Sequence, residues 1–219
     1  MIIYNPHHQD FQNSRIKEAE EILNQISSKY CFITGSFLYK KNYNDIDVFI
    51  VSRSKKPFKL KNAKMNITII DFNNLSSLFY HSIAKSCLAK NLLPTRPLKT
   101  TLADYWQVIN EAIPTILNQK DKYHKDIRFL ILYTHYYKTG EILDTFQLSQ
   151  KISSFNDYTK ILEYIRKQVP HIITAHATPS YIKRFFYTQA GYYKELRDYQ
   201  AQDFLYTLTH EITRGLVHG

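Results

Sequence analysis

Residues 30–51 are the segment that most constrains how this chain folds. The segment reads YCFITGSFLYKKNYNDIDVFIV, with two apolar runs, a Gly-Ser pair between them and two aspartates at the start of the second run. Two short strands are the expected structure of the apolar runs. Because successive side chains of a strand point to opposite faces, Asp45 and Asp47 project to one side while Ile46 turns into the core. Paired carboxylates of this kind suit a hard divalent cation such as magnesium.

A Gly-Ser pair ends the first of the two predicted strands. Gly35 has no Cβ to block an approaching phosphate. Ser36 opens the short segment FLYKK, so its hydroxyl and backbone N–H would lie at a helix N-terminus. Lys40 and Lys41 close that segment and are candidate triphosphate contacts, with simple exposure as the alternative. The pattern indicates a nucleotide site in which a phosphate-binding turn lies beside the two carboxylates.

These motifs resemble the signature of the nucleotidyltransferase superfamily, which includes DNA polymerase β, the CCA-adding enzymes, aminoglycoside nucleotidyltransferases and minimal nucleotidyltransferases. The signature is a strand that ends in Gly-Ser, followed about ten residues later by Asp-apolar-Asp on the next strand. This chain supplies it with Gly35, Ser36, Asp45, Ile46 and Asp47. The resemblance covers residues 30–72. Many minimal members carry other residues at the positions of Phe37 and Asn44. These differences bear on the assignment to a subfamily and not on the resemblance to the superfamily.

The family also places a third carboxylate on a later, neighbouring strand. The resemblance assigns this role to Asp71, which closes the run MNITIID. An aspartate in this place is also an ordinary helix N-cap, here before the segment NNLSSLF. With Asp71 as the third ligand, the resemblance implies two Mg²⁺ ions, or Mn²⁺ in their place, held by Asp45, Asp47 and Asp71. It implies transfer of a nucleoside monophosphate from a nucleoside triphosphate to an acceptor hydroxyl, with release of pyrophosphate.

Length and composition indicate a globular protein. A chain of 219 residues with 44% hydrophobic residues has room for one large domain or two small ones, each with a core. No apolar run approaches the length of a membrane span, and the N-terminal segment lacks the pattern of a signal peptide. The two cysteines, Cys31 and Cys87, have no metal-binding spacing and are expected to be buried packing residues in a reducing compartment. We therefore expect a cytoplasmic protein that does not bind membranes.

The hydrophobic pattern predicts an α+β fold. A helix is expected over residues 11–29 and strands over 30–34, 46–51 and 66–70, which is an α/β pattern. The family resemblance implies that these elements form an α/β nucleotidyltransferase domain with a small mixed sheet. A C-terminal helical bundle domain follows. Its predicted helices cover 75–92, 102–119, 122–138, 141–152, 156–169, 179–198 and 200–217. We place the two domains at residues 1–76 and 77–219, with the boundary anywhere between 73 and 100.

The acceptor is predicted from charge. The net charge of +10 implies attraction to polyanions. On the helix predicted at 179–198, one arc carries side chains that suit phosphates and a stacked base, namely Lys183, Tyr187, Lys194 and Arg197. A solvated basic face is the alternative, and the basic loop from Arg53 to Lys64 has the same two interpretations.

We expect RNA, in particular a tRNA end, as the acceptor. Other acceptors belong to other classes of protein. A protein acceptor would indicate an AMP-transferring antitoxin with a cognate protein partner. A small-molecule acceptor would indicate an antibiotic-modifying enzyme. Loss of metal binding would leave a nucleic-acid-binding module without catalysis, against which the intact pair of aspartates argues. The size and order of the two predicted domains also resemble bacterial abortive-infection and toxin-antitoxin transferases, which is an analogy of fold alone.

Overall fold

The structure is a computed structural model that describes residues 1–5, 7, 12–53 and 64–217. It is an α+β protein in which a mixed sheet comes first and a series of helices follows. Contacts between residues divide the chain into two compact units. The first comprises Met1–Thr100 with Ile142–Gln147, and the second comprises Thr101–Glu141 with Leu148–Gly219.

The first unit contains the sheet. Its described elements are β1 (Ile2–Tyr4), α1 (Gln12–Gln25), β2 (Cys31–Thr34), α2 (Ser36–Tyr39), β3 (Ile46–Val51), β4 (Met65–Ile70), a 3₁₀ helix (Phe72–Ser76), α3 (Leu78–Lys85) and β5 (Cys87–Ala89). In the part of the chain that is described, five strands lie in the order β1-β5-β2-β3-β4. All neighbouring strands are antiparallel except β3 and β4, which run parallel. Residues 52–64 connect these two strands, and a parallel pair needs a connection of about a dozen residues or more.

Apolar side chains cover both faces of this sheet. On one face, α1 and the sheet share a cluster of Ala19, Ile22, Leu23, Ile26, Cys31, Ile33, Phe37, Ile46, Val48, Ile50 and Leu88. On the other face, the sheet, the 3₁₀ helix and α3 share a cluster of Phe32, Phe49, Val51, Ile70, Leu75, Tyr80, Ile83, Cys87, Ala89 and Leu93. Consecutive residues of β3 alternate between the two clusters, as a strand with both faces covered requires.

The second unit is helical. Its helices are α4 (Leu102–Gln119), α5 (Lys125–Thr139), α6 (Thr145–Ser153, of which the first residues belong to the first unit), α7 (Tyr158–His176), α8 (Pro179–Glu195) and α9 (Tyr199–Val217). The predicted bounds of α4 are confirmed, and so is its capping box, in which Thr101 and Asp104 each accept from the backbone N–H of the other. None of the described helices combines the length and the apolar character needed to cross a membrane.

The helix predicted over residues 75–92 is wrong. The structure has a 3₁₀ helix, α3 and then β5 in this stretch. Strand β5 forms because Cys87–Ala89 pairs with both β1 and β2, and such long-range pairing overrides local periodicity. The first unit extends to Thr100, at the upper end of the range of 73–100 predicted for the boundary. Both cysteines are free and buried, as predicted.

Candidate active site

The turn after β2 lies directly against Asp47. Strands β2 and β3 are antiparallel with Thr34 opposite Asp47, so the residue that follows Thr34 meets the start of β3. Gly35 has φ 87° and ψ −162°, a backbone conformation that is essentially restricted to glycine. A Cβ at Gly35 would be only 2.8 Å from Asp47 Oδ2. The absence of a side chain at Gly35 therefore makes room for the Asp47 carboxylate.

A single helical turn follows Gly35. The backbone N–H of Leu38 donates to the Gly35 carbonyl at 3.0 Å, and the N–H of Lys40 donates to the Ser36 carbonyl at 2.8 Å. Phe37 is fully buried and anchors this turn in the core, whereas Ser36 is half-buried. Ser36 is the first residue of α2, as predicted.

Asp45 and Asp47 flank a buried residue, as the sequence predicts. Ile46 is 1% exposed and belongs to the cluster that faces α1. Asp45 is exposed and immediately precedes β3, and Asp47 is half-buried within β3. The alternation of side chains along β3 directs Asp47 to the face opposite Ile46.

An amide side chain lies at the Asp47 carboxylate. Strand β4 pairs in parallel with β3, and its second residue, Asn66, is the register partner of Asp47. Asn66 Nδ2 donates a hydrogen bond to Asp47 Oδ1 at 3.2 Å. The two oxygens of Asp47 therefore face different neighbours, Oδ2 the glycine turn and Oδ1 the amide. The sequence signal for Asn66 is a polar residue between two apolar ones at the start of β4.

Asp71, which the family resemblance predicts as the third ligand, does not lie beside Asp47 in the structure. Because β4 runs parallel to β3, Asp71 follows the end of β4 that pairs with Val51. It lies five residues beyond Asn66, or about 16 Å along the strand from the Asp47 end. Its Oδ1 accepts from the backbone N–H of Asn73 at 2.8 Å, which makes Asp71 the N-cap of the 3₁₀ helix. In the described parts of the chain, no three His, Cys, Asp or Glu side chains are grouped to hold a metal ion.

Aromatic and basic side chains hold the segment between α2 and β3. The Arg15 guanidinium lies 4.3 Å from the centre of the Tyr43 ring and 5.2 Å from that of Phe37. It also donates to the Lys41 carbonyl at 3.3 Å. The side chains of Lys40 and Lys41, the predicted triphosphate contacts, are exposed.

A second polar network supports β2 from the segment Ile142–Gln147. Thr34 Oγ1 donates to the Ser86 carbonyl at 2.7 Å and lies 3.0 Å from Thr145 Oγ1. Asp144 is fully buried, accepts from two backbone N–H groups at the start of α6, and lies 2.9 Å from His7 Nε2. Sequence reasoning missed this network, because its partners are far apart along the chain. The N-cap pattern of Asp144 was the one local signal.

The predicted acceptor-binding arc is described in part. Lys183 and Arg197 are exposed, whereas Ile182 and Tyr193 of α8 are buried. Helix α8 ends at Glu195, so Arg197 lies beyond it, which corrects the predicted end at residue 198. The side chains of Tyr187 and Lys194 lie outside the described residues, as do residues 54–63 of the basic loop.

In comparisons with known proteins, no family model, curated protein or solved structure matches this chain.

Proposed function

We propose that this chain is a nucleotidyltransferase that moves a nucleoside monophosphate from a nucleoside triphosphate to an acceptor hydroxyl. The observation that carries the proposal is the contact between the glycine turn and the catalytic carboxylate. A Cβ at Gly35 would lie 2.8 Å from Asp47 Oδ2, so a larger residue at the end of β2 would displace this carboxylate. A turn without a Cβ, next to the half-buried Ser36 and an oriented carboxylate, supports binding of a triphosphate and its cation.

Each residue of the turn has a proposed role. Gly35 is buried and makes room for the carboxylate, and the half-buried Ser36 would offer its hydroxyl and backbone N–H as donors to a phosphate. Asp47 is held between Gly35 and Asn66, so its orientation is set before any substrate binds. A carboxylate that is already oriented loses little entropy when it binds its ligand, which favours transition-state stabilisation. Lys40 and Lys41 are exposed and available to the outer phosphates.

The residues present fit one divalent cation. Asp45 and Asp47 would hold Mg²⁺, or Mn²⁺ in its place, through hard oxygen ligands, while the Asn66 amide N–H orients Asp47. Such an ion supplies charge neutralisation at a transferring phosphoryl group. Among the described residues, the second ion implied by the family resemblance has no third carboxylate at this site, because Asp71 caps the 3₁₀ helix instead.

RNA is the acceptor that the charge of the chain supports best. The net charge of +10 favours a polyanion, and Lys183 and Arg197 are exposed cations of the second unit. A tRNA end is the specific RNA that we propose. A protein acceptor, with the chain acting as the AMP-transferring member of a toxin-antitoxin pair, and an antibiotic acceptor are outcomes that the following experiment distinguishes.

The experiment is a labelling reaction with each α-labelled nucleoside triphosphate and Mg²⁺. Purified protein is incubated with total RNA, with total protein or with aminoglycosides, and the labelled fraction is identified. We expect label in RNA, and its loss when Asp47 is replaced by asparagine, a nearly isosteric change. Label in a polypeptide or an aminoglycoside would replace RNA as the acceptor. No labelled product from any fraction would contradict nucleotidyl transfer itself.

A further inference from the structure

The neighbour of Asp47 on β4 is an amide, at the position where a carboxylate on that strand would lie nearest to Asp47. Parallel pairing places Asn66 beside Asp47, with Asn66 Nδ2 3.2 Å from Asp47 Oδ1. Of all β4 residues, the register partner of Asp47 comes closest to it across the strand pair. Asp71, five residues further along, is used as an N-cap. The position next to Asp47 is thus held by a neutral side chain.

An amide and a carboxylate at position 66 differ in charge. A carboxylate in place of the Asn66 amide would put two anionic side chains within hydrogen-bonding distance, which is unfavourable unless cations lie between them. The amide instead donates to Asp47 and adds no negative charge. Asp45 and Asp47 together carry two negative charges, which match one divalent cation and leave a second one uncompensated by protein ligands.

We propose that Asn66 limits this site to a single divalent cation, bound together with the triphosphate. The proposal rests on the proposed function, since it concerns the same carboxylates. Asn66 acts as a positioning residue, because its N–H orients Asp47, and as a determinant of cation number, because its neutral amide replaces a third carboxylate. The ligand class of the site is one Mg²⁺ or Mn²⁺ with a nucleoside triphosphate.

The test is a titration of the purified protein with Mn²⁺, in which electron paramagnetic resonance reports the free ion. We expect the wild type to have one Mn²⁺ site that Asp47→Asn removes. Asn66→Asp should gain a second site or bind Mn²⁺ about tenfold more tightly, because added ligand charge tightens binding of hard cations. Asn74→Asp is the matched control. It adds the same charge at an exposed residue near the other end of β4, and it should titrate like the wild type.

Thermal unfolding gives a second readout. In EDTA, Asn66→Asp should melt below the wild type because of repulsion with Asp47, and Mn²⁺ should raise its melting temperature more than that of the wild type. Two Asp47-dependent sites in the wild type would overturn the proposal without any variant being needed. The proposal would also be overturned if Asn66→Asp bound Mn²⁺ in the titration as Asn74→Asp does. Failure of the proposed function would be seen separately, as absence of nucleotide transfer by the wild type.

Discussion

Replacing Gly35 with alanine tests the central contact of the site. The added Cβ would lie 2.8 Å from Asp47 Oδ2, whereas ordinary van der Waals contact begins at 3.4 Å, so the carboxylate must move by about 0.6 Å. A misplacement of about 1 Å in an active site costs about a hundredfold in rate. We therefore expect kcat/KM for nucleotide transfer to fall by about tenfold to a hundredfold.

Stability should fall as well, for a separate reason. Gly35 adopts a backbone conformation that costs a non-glycine residue about 1–3 kcal/mol. Gly140 provides the matched control, because it also has a positive φ, 77°, but nothing lies within 4 Å of an added Cβ. Gly140→Ala should lose about 1–2 kcal/mol and keep full transfer activity. Urea unfolding measures the loss of stability, and pyrophosphate release measures the transfer activity.

A double variant separates the clash from the backbone strain. In Gly35→Ala combined with Asp47→Ala, the added Cβ no longer meets a carboxylate. The double variant should therefore lose less free energy of unfolding than the sum of the losses in the two single variants. Wild-type activity in Gly35→Ala would refute the reasoning, since the carboxylate would then tolerate displacement. An equal loss of activity in Gly140→Ala would also refute it.

Three further outcomes follow from other parts of the chain. Asp144→Ala should lose about 1–3 kcal/mol of stability in urea, and Asp144→Asn clearly less, because asparagine still caps α6. Burial raises the pKa of the Cys31 thiol from 9.0 to about 11, against the opposing effect of Lys90, so stability should fall as the pH rises from 9.0 toward 11. Cys31→Ala should remove this part of the pH dependence of stability. A pH–stability profile unchanged from that of the wild type would contradict the role of Cys31. Replacing Lys183, Lys194 and Arg197 together with alanine should weaken RNA binding and flatten its salt dependence by about 0.7 per lost contact. An unchanged slope would indicate that RNA binds elsewhere.

Much of the architecture was predictable from local sequence. The bounds of α4 and its capping box follow from periodicity and from the Thr101 and Asp104 pair. Strand β3 has its predicted bounds, because three buried apolar residues on one face and two on the other leave little freedom of register. The glycine turn and the Asp45 and Asp47 pair were found because their chemistry lies within one short segment.

Long-range pairing accounts for what sequence reasoning missed. Asp71 was assigned to the site because it ends a strand, but whether that end meets Asp47 depends on strand direction. The long connection at residues 52–64 was the available signal for a parallel pair, which places Asn66 at Asp47 instead. Strand β5 is short and gains its stability from two partner strands, and the contact between His7 and Asp144 joins residues far apart in sequence.

The most direct measurement compares two carboxylate variants in a pyrophosphate-release assay. The assay contains Mg²⁺, nucleoside triphosphate and the acceptor that the labelling reaction identifies. Asp47→Asn and Asp71→Asn remove the same charge, and asparagine preserves the N-cap that Asp71 provides. We expect Asp47→Asn to abolish release, because its carboxylate lies at the glycine turn, and Asp71→Asn to release pyrophosphate at the wild-type rate. Retained release in Asp47→Asn, or its loss in Asp71→Asn with the fold intact, would contradict the assignment of this site.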